Sequence, residues 1–310
     1  MAAQPGGAGR GAVMVATVPT RGLTVVDARA HTARTPGRPG RRRVGWTLRV
    51  VAAVLVAVVM VFPLWVMLVT AFSSGSAYSQ TLRLWPSEPT LGNFTRVFAA
   101  WPVGSWFANS VAVAGVTTVL SVAVSLTGGF AFAKLRWVGR TPVFLLLLAT
   151  MMIPTQAILV PQFRLVSSLG LVGTFWAVIL PGAAATFGIF LARQFLMAIP
   201  TELVEAARVD GASTPRVFWS IVLPLCRPLV AVLTLLALMY QWNDFLWPLI
   251  VLRDPALFTL PIGLQFLQGQ YLTDYGALMA MTLLATAPLV VLFLVFQRYF
   301  VQGLATTGLR

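Results

Sequence analysis

Residues 110–133 read SVAVAGVTTVLSVAVSLTGGFAFA, and none of them is charged. The run is long enough to supply the roughly 20 apolar residues with which an α-helix crosses the hydrocarbon core of a bilayer. A charge at the centre of such a helix costs about 3 kcal/mol on the insertion scale. Backbone amides and carbonyls find no water in lipid, so the run must pair them internally. The stretch therefore predicts a membrane-spanning helix.

Five further apolar runs have similar lengths, so the sequence predicts six spans. Their ranges are 47–72, 110–133, 142–163, 172–196, 222–247 and 276–299. Of the residues 58% are hydrophobic and 10% charged, whereas soluble domains carry about 25% charged residues. The short alternating segments of a lipid-facing barrel are absent. We expect an all-α integral membrane protein whose spans are kinked by prolines such as Pro63, Pro154 and Pro181.

The net charge of +14 is concentrated before the first span, where nine of the 22 basic residues lie between Arg10 and Arg49. We predict that residues 1–45 form a disordered cytoplasmic tail and residues 46–310 the transmembrane domain. No aromatic residue lies between Arg10 and Arg43, so nucleic acid is not an expected partner. A cleaved signal peptide fits poorly, because the basic region is too long.

Basic residues also predict the orientation of the spans. With the N-terminus inside, the outer segments hold only Arg83, Arg96, Arg164 and Arg253 of the 22 basic residues. Lysine and arginine favour the cytoplasmic side. We therefore expect a multi-pass protein of the cytoplasmic membrane with both termini in the cytoplasm.

The sequence offers little for catalysis. Cys226 and His31 are the only cysteine and histidine, so an intramolecular disulfide is impossible and metal sites or dyads built on these residues are nearly excluded. A membrane enzyme would have to use the acids Glu202, Glu205 and Asp210, which have no histidine, lysine or metal partner. We expect neither an enzyme nor a resident cofactor.

The segment between the fourth and fifth spans, residues 200–228, reads PTELVEAARVDGASTPRVFWSIVLPLCRP. Thr201 is placed to cap a helix that begins at Glu202, and Gly211 is placed to end it. Thr214 followed by Pro215 is a second start signal. The pattern predicts two short helices joined by a sharp bend on the cytoplasmic face.

The first of these helices carries Leu203, Ala206 and Ala207 at three-and-four spacing. Isolated helices shorter than about 12 residues are marginal, so it must pack on something. Its own bundle, the lipid headgroups and a partner protein all remain open on these grounds.

The spacing of Glu205-Ala206-Ala207, Gly211, Ile221 and Leu223-Pro224 resembles the EAA loop of ABC importer permeases. That pattern is EAA, three residues, G, nine residues, I, one residue, LP, and the match is complete. The resemblance assigns ATPase coupling to Glu205, Ala206, Ala207, Asp210, Gly211, Ile221, Leu223 and Pro224.

The resemblance implies an assembly of the type I ABC importer kind. The helix would be a coupling helix that docks on one of two ATP-binding cassette subunits and rocks the membrane helices between inward and outward states. The partners would be a second homologous permease, an extracytoplasmic solute-binding protein and membrane lipid. The partner subunits would bind the ATP, because the chain has no G-x-x-x-x-G-K-[ST] motif.

Three other segments are similar to carbohydrate permeases: residues 91–110, residues 240–249 and the tail QRYFVQGLATTG. The likeness covers about residues 46–310 and is closest in type to the six-span inner-membrane subunit of maltose transporters. It implies a mono- or oligosaccharide as the solute; a polyamine, a peptide or a phosphonate stays open. It also implies that residues 85–109, with Arg83 and Arg96, face the binding protein.

A substrate path has candidates late in the fifth span, namely Gln241, Asn243 and Asp244. Polar and ionisable groups in membrane segments are functional candidates, and Trp242 and Trp247 could stack on a sugar. Alternatively, Asp244 ends the helix at the interface and Trp247 belongs to the aromatic belt.

Overall fold

The structure, a computed structural model, describes residues 39–74, 84–86, 88–268 and 274–307. Most of the predicted disordered tail, residues 1–38, lies outside the described residues, and the first helix begins at Pro39. The chain divides into two units, residues 1–56 and 57–310. In the first unit the described side chains, from residue 46 onward, are exposed. The packing below is that of the second unit.

Helices make up most of the described residues, together with one isolated bridge between Ser73 and Pro89. The α-helices in chain order are α1 (Pro39–Ala71), α2 (Gly92–Ala100), α3 (Val103–Lys134), α4 (Arg140–Thr150), α5 (Leu159–Ser168), α6 (Trp176–Ala183), α7 (Thr186–Met197), α8 (Thr201–Val209), α9 (Thr214–Val217), α10 (Leu223–Leu225), α11 (Arg227–Asn243), α12 (Leu246–Val251), α13 (Leu260–Leu267) and α14 (Tyr275–Thr307). Short 3₁₀ turns cover Thr155–Ile158 and Pro255–Leu257, and a π-helical turn covers Phe218–Val222. The predicted all-α membrane fold is confirmed.

Four stretches of the described chain are long and apolar enough to cross a membrane as single spans. They are Trp46–Ala71, Val103–Lys134, Trp176–Met197 and Tyr275–Val295. Two more spans are possible if each of two bent helix pairs counts as one: Arg140–Thr150 with Thr155–Ser168, bent by 97°, and Thr214–Leu225 with Arg227–Asn243, bent by 81°. The described part of the chain therefore holds four to six candidate spans.

The bend angles in the third and fifth predicted spans are thus far larger than a single proline kink would produce. In the third, the backbone leaves the helix after Thr150 and turns at Pro154, which has no N–H to donate. In the fifth, the break falls at Cys226, between Pro224 and Pro228. The prolines predicted kinks in these spans, but not bends of 97° and 81°, because a hydrophobic run shows only that a segment is apolar.

Helices α3 and α7 approach each other closely through small residues. A Cβ placed on Gly129 would lie 2.5 Å from the Cβ of Ala192, and one on Gly188 would lie 2.1 Å from Oγ of Ser125. Glycine at such a contact lets the backbones pack by dispersion forces where lipid supplies no hydrophobic drive. The packing of α3 against α7 is therefore set by the complementary shapes of the two helix surfaces.

Buried side chains form two clusters in the second unit. One surrounds Trp106, Trp242 and Trp247, and joins α3, α6, α11, α12 and α13. The other surrounds Phe130 and Phe218, and joins α3, α7, α8 and α11. The second cluster holds the segment between α7 and α11 against the bundle.

The carboxyl end of α1 is held by Asn93 of α2. The Asn93 amide donates to the carbonyls of Ala71 at 2.9 Å and Ser73 at 3.0 Å, and the side chain is only 2% exposed. Arg96 donates to Oδ1 of Asn93 and, at 2.8 Å, to the Asp274 carboxylate just before α14. This network ties the ends of α1, α2 and α14 together.

Gly129→Ala is expected to destabilise the protein by about 1–3 kcal/mol, because the added methyl must displace the α7 backbone. The matched control is Gly115→Ala in the same helix, where a Cβ meets nothing within 4 Å. The control should be neutral or stabilising by up to about 1 kcal/mol. Thermal unfolding of the two variants in detergent measures the difference, and equal midpoints would contradict the close contact.

Candidate functional site

Helix α8 carries the EAA-like residues and starts one residue earlier than predicted. Pro200 occupies the N-cap position and no side chain caps the helix. The prediction that Thr201 caps it is wrong, because Thr201 already lies in the first helical turn. Glu202 in the first turn and Arg208 in the last match the helix dipole.

The helix ends through a complete Schellman motif. The Ala212 amide donates to the Ala207 carbonyl at 2.9 Å, and the Gly211 amide donates to the Arg208 carbonyl at 3.0 Å. Gly211 has φ of 81°, a left-handed conformation that other residues adopt at a steric cost. Gly211 therefore ends α8 and turns the chain toward α9.

The second short helix also begins one residue away from the predicted position. Ser213 is the N-cap of α9, while Thr214 and Pro215 lie inside its first turn. The prediction that Thr214 is the cap is therefore wrong. A π-helical turn at Phe218–Val222 follows, and the chain reaches α11 after the break at Cys226. Such turns insert an extra residue per turn and often occur at functional positions.

Helix α8 has one packed face and one exposed face. Val204 is 1% exposed and Ala207 is 8% exposed, and both lie in the second buried cluster. Leu203 is 45% and Val209 87% exposed, and Ala206 is exposed as well. Of the predicted apolar set Leu203, Ala206 and Ala207, only Ala207 is buried within the chain, where Val204 accompanies it.

The eight motif residues divide between these two environments. Ala207 is buried, and Ile221 and Leu223 are half-buried against the second cluster. The exposed members are Glu205, Ala206, Asp210, Gly211 and Pro224. The spacing of the motif thus combines positions that seat the segment on the bundle with positions left on the surface.

Sequence reasoning missed a residue that contacts both ends of the α7–α8 connection. Lys134, the last residue of α3, donates from Nζ to the Ile199 carbonyl at 2.5 Å and lies 3.5 Å from Oγ1 of Thr201. It is 8% exposed. The available signal was that the only lysine of the chain follows directly on an uncharged run.

The structure places the three predicted substrate-path residues in three different environments. Gln241 is buried, and a Cβ on Gly182 of α6 would lie 2.6 Å from its Nε2 atom. Asn243 is exposed and donates to the Met239 carbonyl of its own helix at 2.7 Å. Asp244 is the C-cap of α11 and is half-buried.

The two tryptophans beside these residues are part of the first buried cluster. Trp242 is 5% exposed and donates to the Ala285 carbonyl at 3.0 Å. Trp247 is 7% exposed and donates to the Ala177 carbonyl at 2.9 Å. Their indole rings connect α11 and α12 to neighbouring helices within the chain.

Fold and site together define a class: an all-helical membrane subunit with a short surface helix between two spans. The family model described as "Binding-protein-dependent transport system inner membrane component" matches residues 123–306. The chain belongs to this family of ABC importer permeases. It is a multi-pass inner-membrane transport subunit and not an enzyme.

Individual relatives cover nearly the whole transmembrane region. The chain is 40% identical to the arabinooligosaccharides transport system permease protein of Halalkalibacterium halodurans over 269 residues, which cover 86% of this chain and 96% of that protein. It is 36% identical to the lactose transport system permease protein of Rhizobium radiobacter, covering 85% and 96% of the two chains.

A solved structure shares the fold. It is the crystal structure of a bacterial ABC transporter involved in the import of the acidic polysaccharide alginate, with a TM-score of 0.78 and 23% sequence identity. The match covers 86% of this chain and 100% of that chain. At this identity the likeness concerns the arrangement of helices.

Val204→Ala is expected to loosen α8 by about 2 kcal/mol, because it removes two buried methyl groups. Hydrogen exchange of the amides of residues 201–212 measures this local opening. The control is Val209→Ala on the exposed face, which should leave protection unchanged. Equal protection in both variants would contradict the packed face of α8.

Proposed function

We propose that this chain is a membrane-spanning subunit of a sugar importer and that α8 is its coupling helix for an ATP-binding subunit. One observation supports this above the others. Helix α8 is seated by Val204 and Ala207, yet Leu203 is 45% and Val209 87% exposed, and Val209 lies one turn beyond the exposed Glu205. These apolar side chains are available to be buried by a partner protein, whose interface cores are depleted of charge.

The proposed mechanism passes movement from α8 to the bundle. Two ATP-binding subunits close on ATP, and each displaces the coupling helix in its groove. Helix α8 is joined to α7 through only Ala198, Ile199 and Pro200, so displacement of α8 bears directly on α7. Because α7 packs closely on α3, the two helices would move together.

The remaining partners follow from the family. A second homologous permease would complete the pathway, and an extracytoplasmic binding protein would deliver the solute. The predicted contact of residues 85–109 with that protein stays a proposal; Arg83 lies outside the described residues, and Arg96 is engaged with Asp274. Gln241, Asn243 and Asp244 remain candidates for the path, although only Asn243 is exposed.

A sugar as solute is supported by the relatives. Two are arabinooligosaccharide permeases, at 40% and 33% identity, and one is a lactose permease at 36%. A phosphorylated polyol is the second candidate, because an sn-glycerol-3-phosphate permease is 34% identical over 79% of this chain. We favour an oligosaccharide because the arabinooligosaccharide permease, at 40%, has a higher sequence identity to this chain than the sn-glycerol-3-phosphate permease, at 34%.

The solute is tested with the importer purified with its partner subunits and reconstituted in liposomes. Labelled arabinooligosaccharides, lactose and sn-glycerol-3-phosphate are offered with the binding protein. Stimulated ATP hydrolysis and uptake with one of the oligosaccharides is the expected result. A response to the phosphorylated polyol alone would replace our first candidate by the second.

Val209→Glu is expected to lower uptake at least about tenfold, because a carboxylate at an apolar interface core is left unpaired and desolvated. The control is Val138→Glu, at a fully exposed valine in the α3–α4 turn. Co-purification of the ATP-binding subunit and uptake are measured together. Loss with Val209→Glu alone supports docking on α8; normal uptake by that variant would contradict it.

We also propose that α8 and both termini face the cytoplasm. In a Cys226→Ala background expressed without the ATP-binding subunits, Val209→Cys should react with a membrane-impermeant maleimide only in inside-out vesicles. Trp85→Cys should react only in intact cells, because Trp85 lies on the segment before α2 and is 72% exposed. The reverse labelling pattern would invert the topology.

A further inference from the structure

Besides the packing of Val204 and Ala207, α8 is linked to the bundle by the short connection between α7 and α8. It consists of Ala198, Ile199 and Pro200. Proline has no amide hydrogen, so Pro200 contributes no backbone donor to hold the two helices together. The amides of Ala198 and Ile199 donate back to α7, at 3.1 and 3.2 Å, so Pro200 is the point at which displacement of α8 would bend the chain, as a hinge.

The side chain of Lys134, at the end of α3, contacts this connection. Its ammonium donates to the Ile199 carbonyl at 2.5 Å, before Pro200, and lies 3.5 Å from the Thr201 hydroxyl, after Pro200. The Ile199 carbonyl lies two residues past Met197, the last residue of α7, and so close to the carboxyl end of the helix, where the dipole favours a cation. The carboxylate of Glu202 attracts the same ammonium from the first turn of α8.

The burial of Lys134 distinguishes it from a lysine that snorkels at the end of a membrane span. A lysine at the end of a span normally extends its ammonium into water or headgroups. Lys134 is only 8% exposed, and a buried ammonium is unfavourable unless it is paired and hydrogen-bonded. The position is therefore held by its contacts to Ile199 and Thr201, and not by solvation.

Helix α3 gives these contacts a rigid base. Five residues before Lys134, the contact of Gly129 with Ala192 fixes α3 to α7. Phe130 packs on Phe218 at 5.3 Å between ring centres, within the cluster that also buries Val204 of α8. Lys134 thus connects α8 to a helix pair that cannot slide apart without a loss of packing.

We propose that Lys134 is a positioning residue for energy coupling: it locks the Pro200 hinge, so that a displaced α8 moves α3 and α7 as one body. The proposal rests on the coupling role of α8 given above. It assigns to the carboxyl end of α3 a part in coupling that lies outside the EAA-like segment.

The test uses the assembled importer and three variants. Lys134→Met keeps the apolar stem and removes the ammonium; Lys134→Arg keeps a cation and its donors. Arg136→Met removes an exposed cation two residues away and is the matched control. Lys134→Met should lower uptake per ATP hydrolysed about tenfold, the factor expected for loss of a hydrogen bond to a charged group. Lys134→Arg should restore most of it, and Arg136→Met should match the unmodified chain.

A distance measurement separates positioning from simple stability. Spin labels at Val138→Cys and at the exposed Arg208→Cys, in a Cys226→Ala background, report the distance between the turn after α3 and α8. In the unmodified chain this distance should have one narrow distribution with and without ATP. Lys134→Met should broaden it when ATP is bound, because the hinge then bends.

The outcomes are distinct. Normal uptake per ATP hydrolysed and a narrow distance distribution in Lys134→Met would overturn this inference and leave the proposed function standing. An equal loss of uptake per ATP hydrolysed in Arg136→Met would do the same. If Lys134→Met does not assemble, Lys134→Gln, which keeps a donor, takes its place; failure of both to assemble would make Lys134 a folding residue and overturn the inference. An unmodified importer without any ATP-binding subunit on α8 would overturn the proposed function itself.

Discussion

The close contact between α3 and α7 is the constraint on which the described bundle depends. In lipid, helices gain little from burying apolar side chains, so association needs backbones that approach closely. Gly129 and Gly188 remove the side chains that would keep the two helices apart. The second buried cluster is built on this contact, because Leu126 and Phe130 of α3 and Leu196 of α7 form its base.

The coupling segment takes its position from that base. Val204 and Ala207 seat α8 on it, while the Schellman motif at Gly211 prevents the helix from running on into α9. Such a helix, too short to be stable alone, acquires its stability from tertiary packing. Val209 on the opposite face and Leu203 at the edge of the packed face can then stay exposed without costing the fold, and a partner can push on a helix that is already fixed.

The breaks in the spans leave backbone polar groups that must be covered by protein or reached by water. Between Thr150 and Thr155, and again at Ala184 and Ala185, the backbone leaves the helical hydrogen-bond pattern. Irregular backbone at membrane depth is tolerated where protein covers it or where it lines a water-filled cavity. Met152 is 85% exposed beside the first break, so cover for the backbone there has to come from outside this chain.

The sequence by itself determined the membrane class, the approximate spans and the EAA-like segment, because apolar length and residue spacing are local properties. Local signals also located the end of α8 at Gly211, where only backbone conformation matters. Tertiary structure decided which side of α8 is buried, since Val204 and Leu203 are equally apolar in the sequence and only the bundle chooses between them. It also decided that Gln241 is buried while Asn243 is exposed, and that Lys134 meets Ile199 and Thr201, because contacts between residues 65 positions apart depend on how α3 and α7 pack.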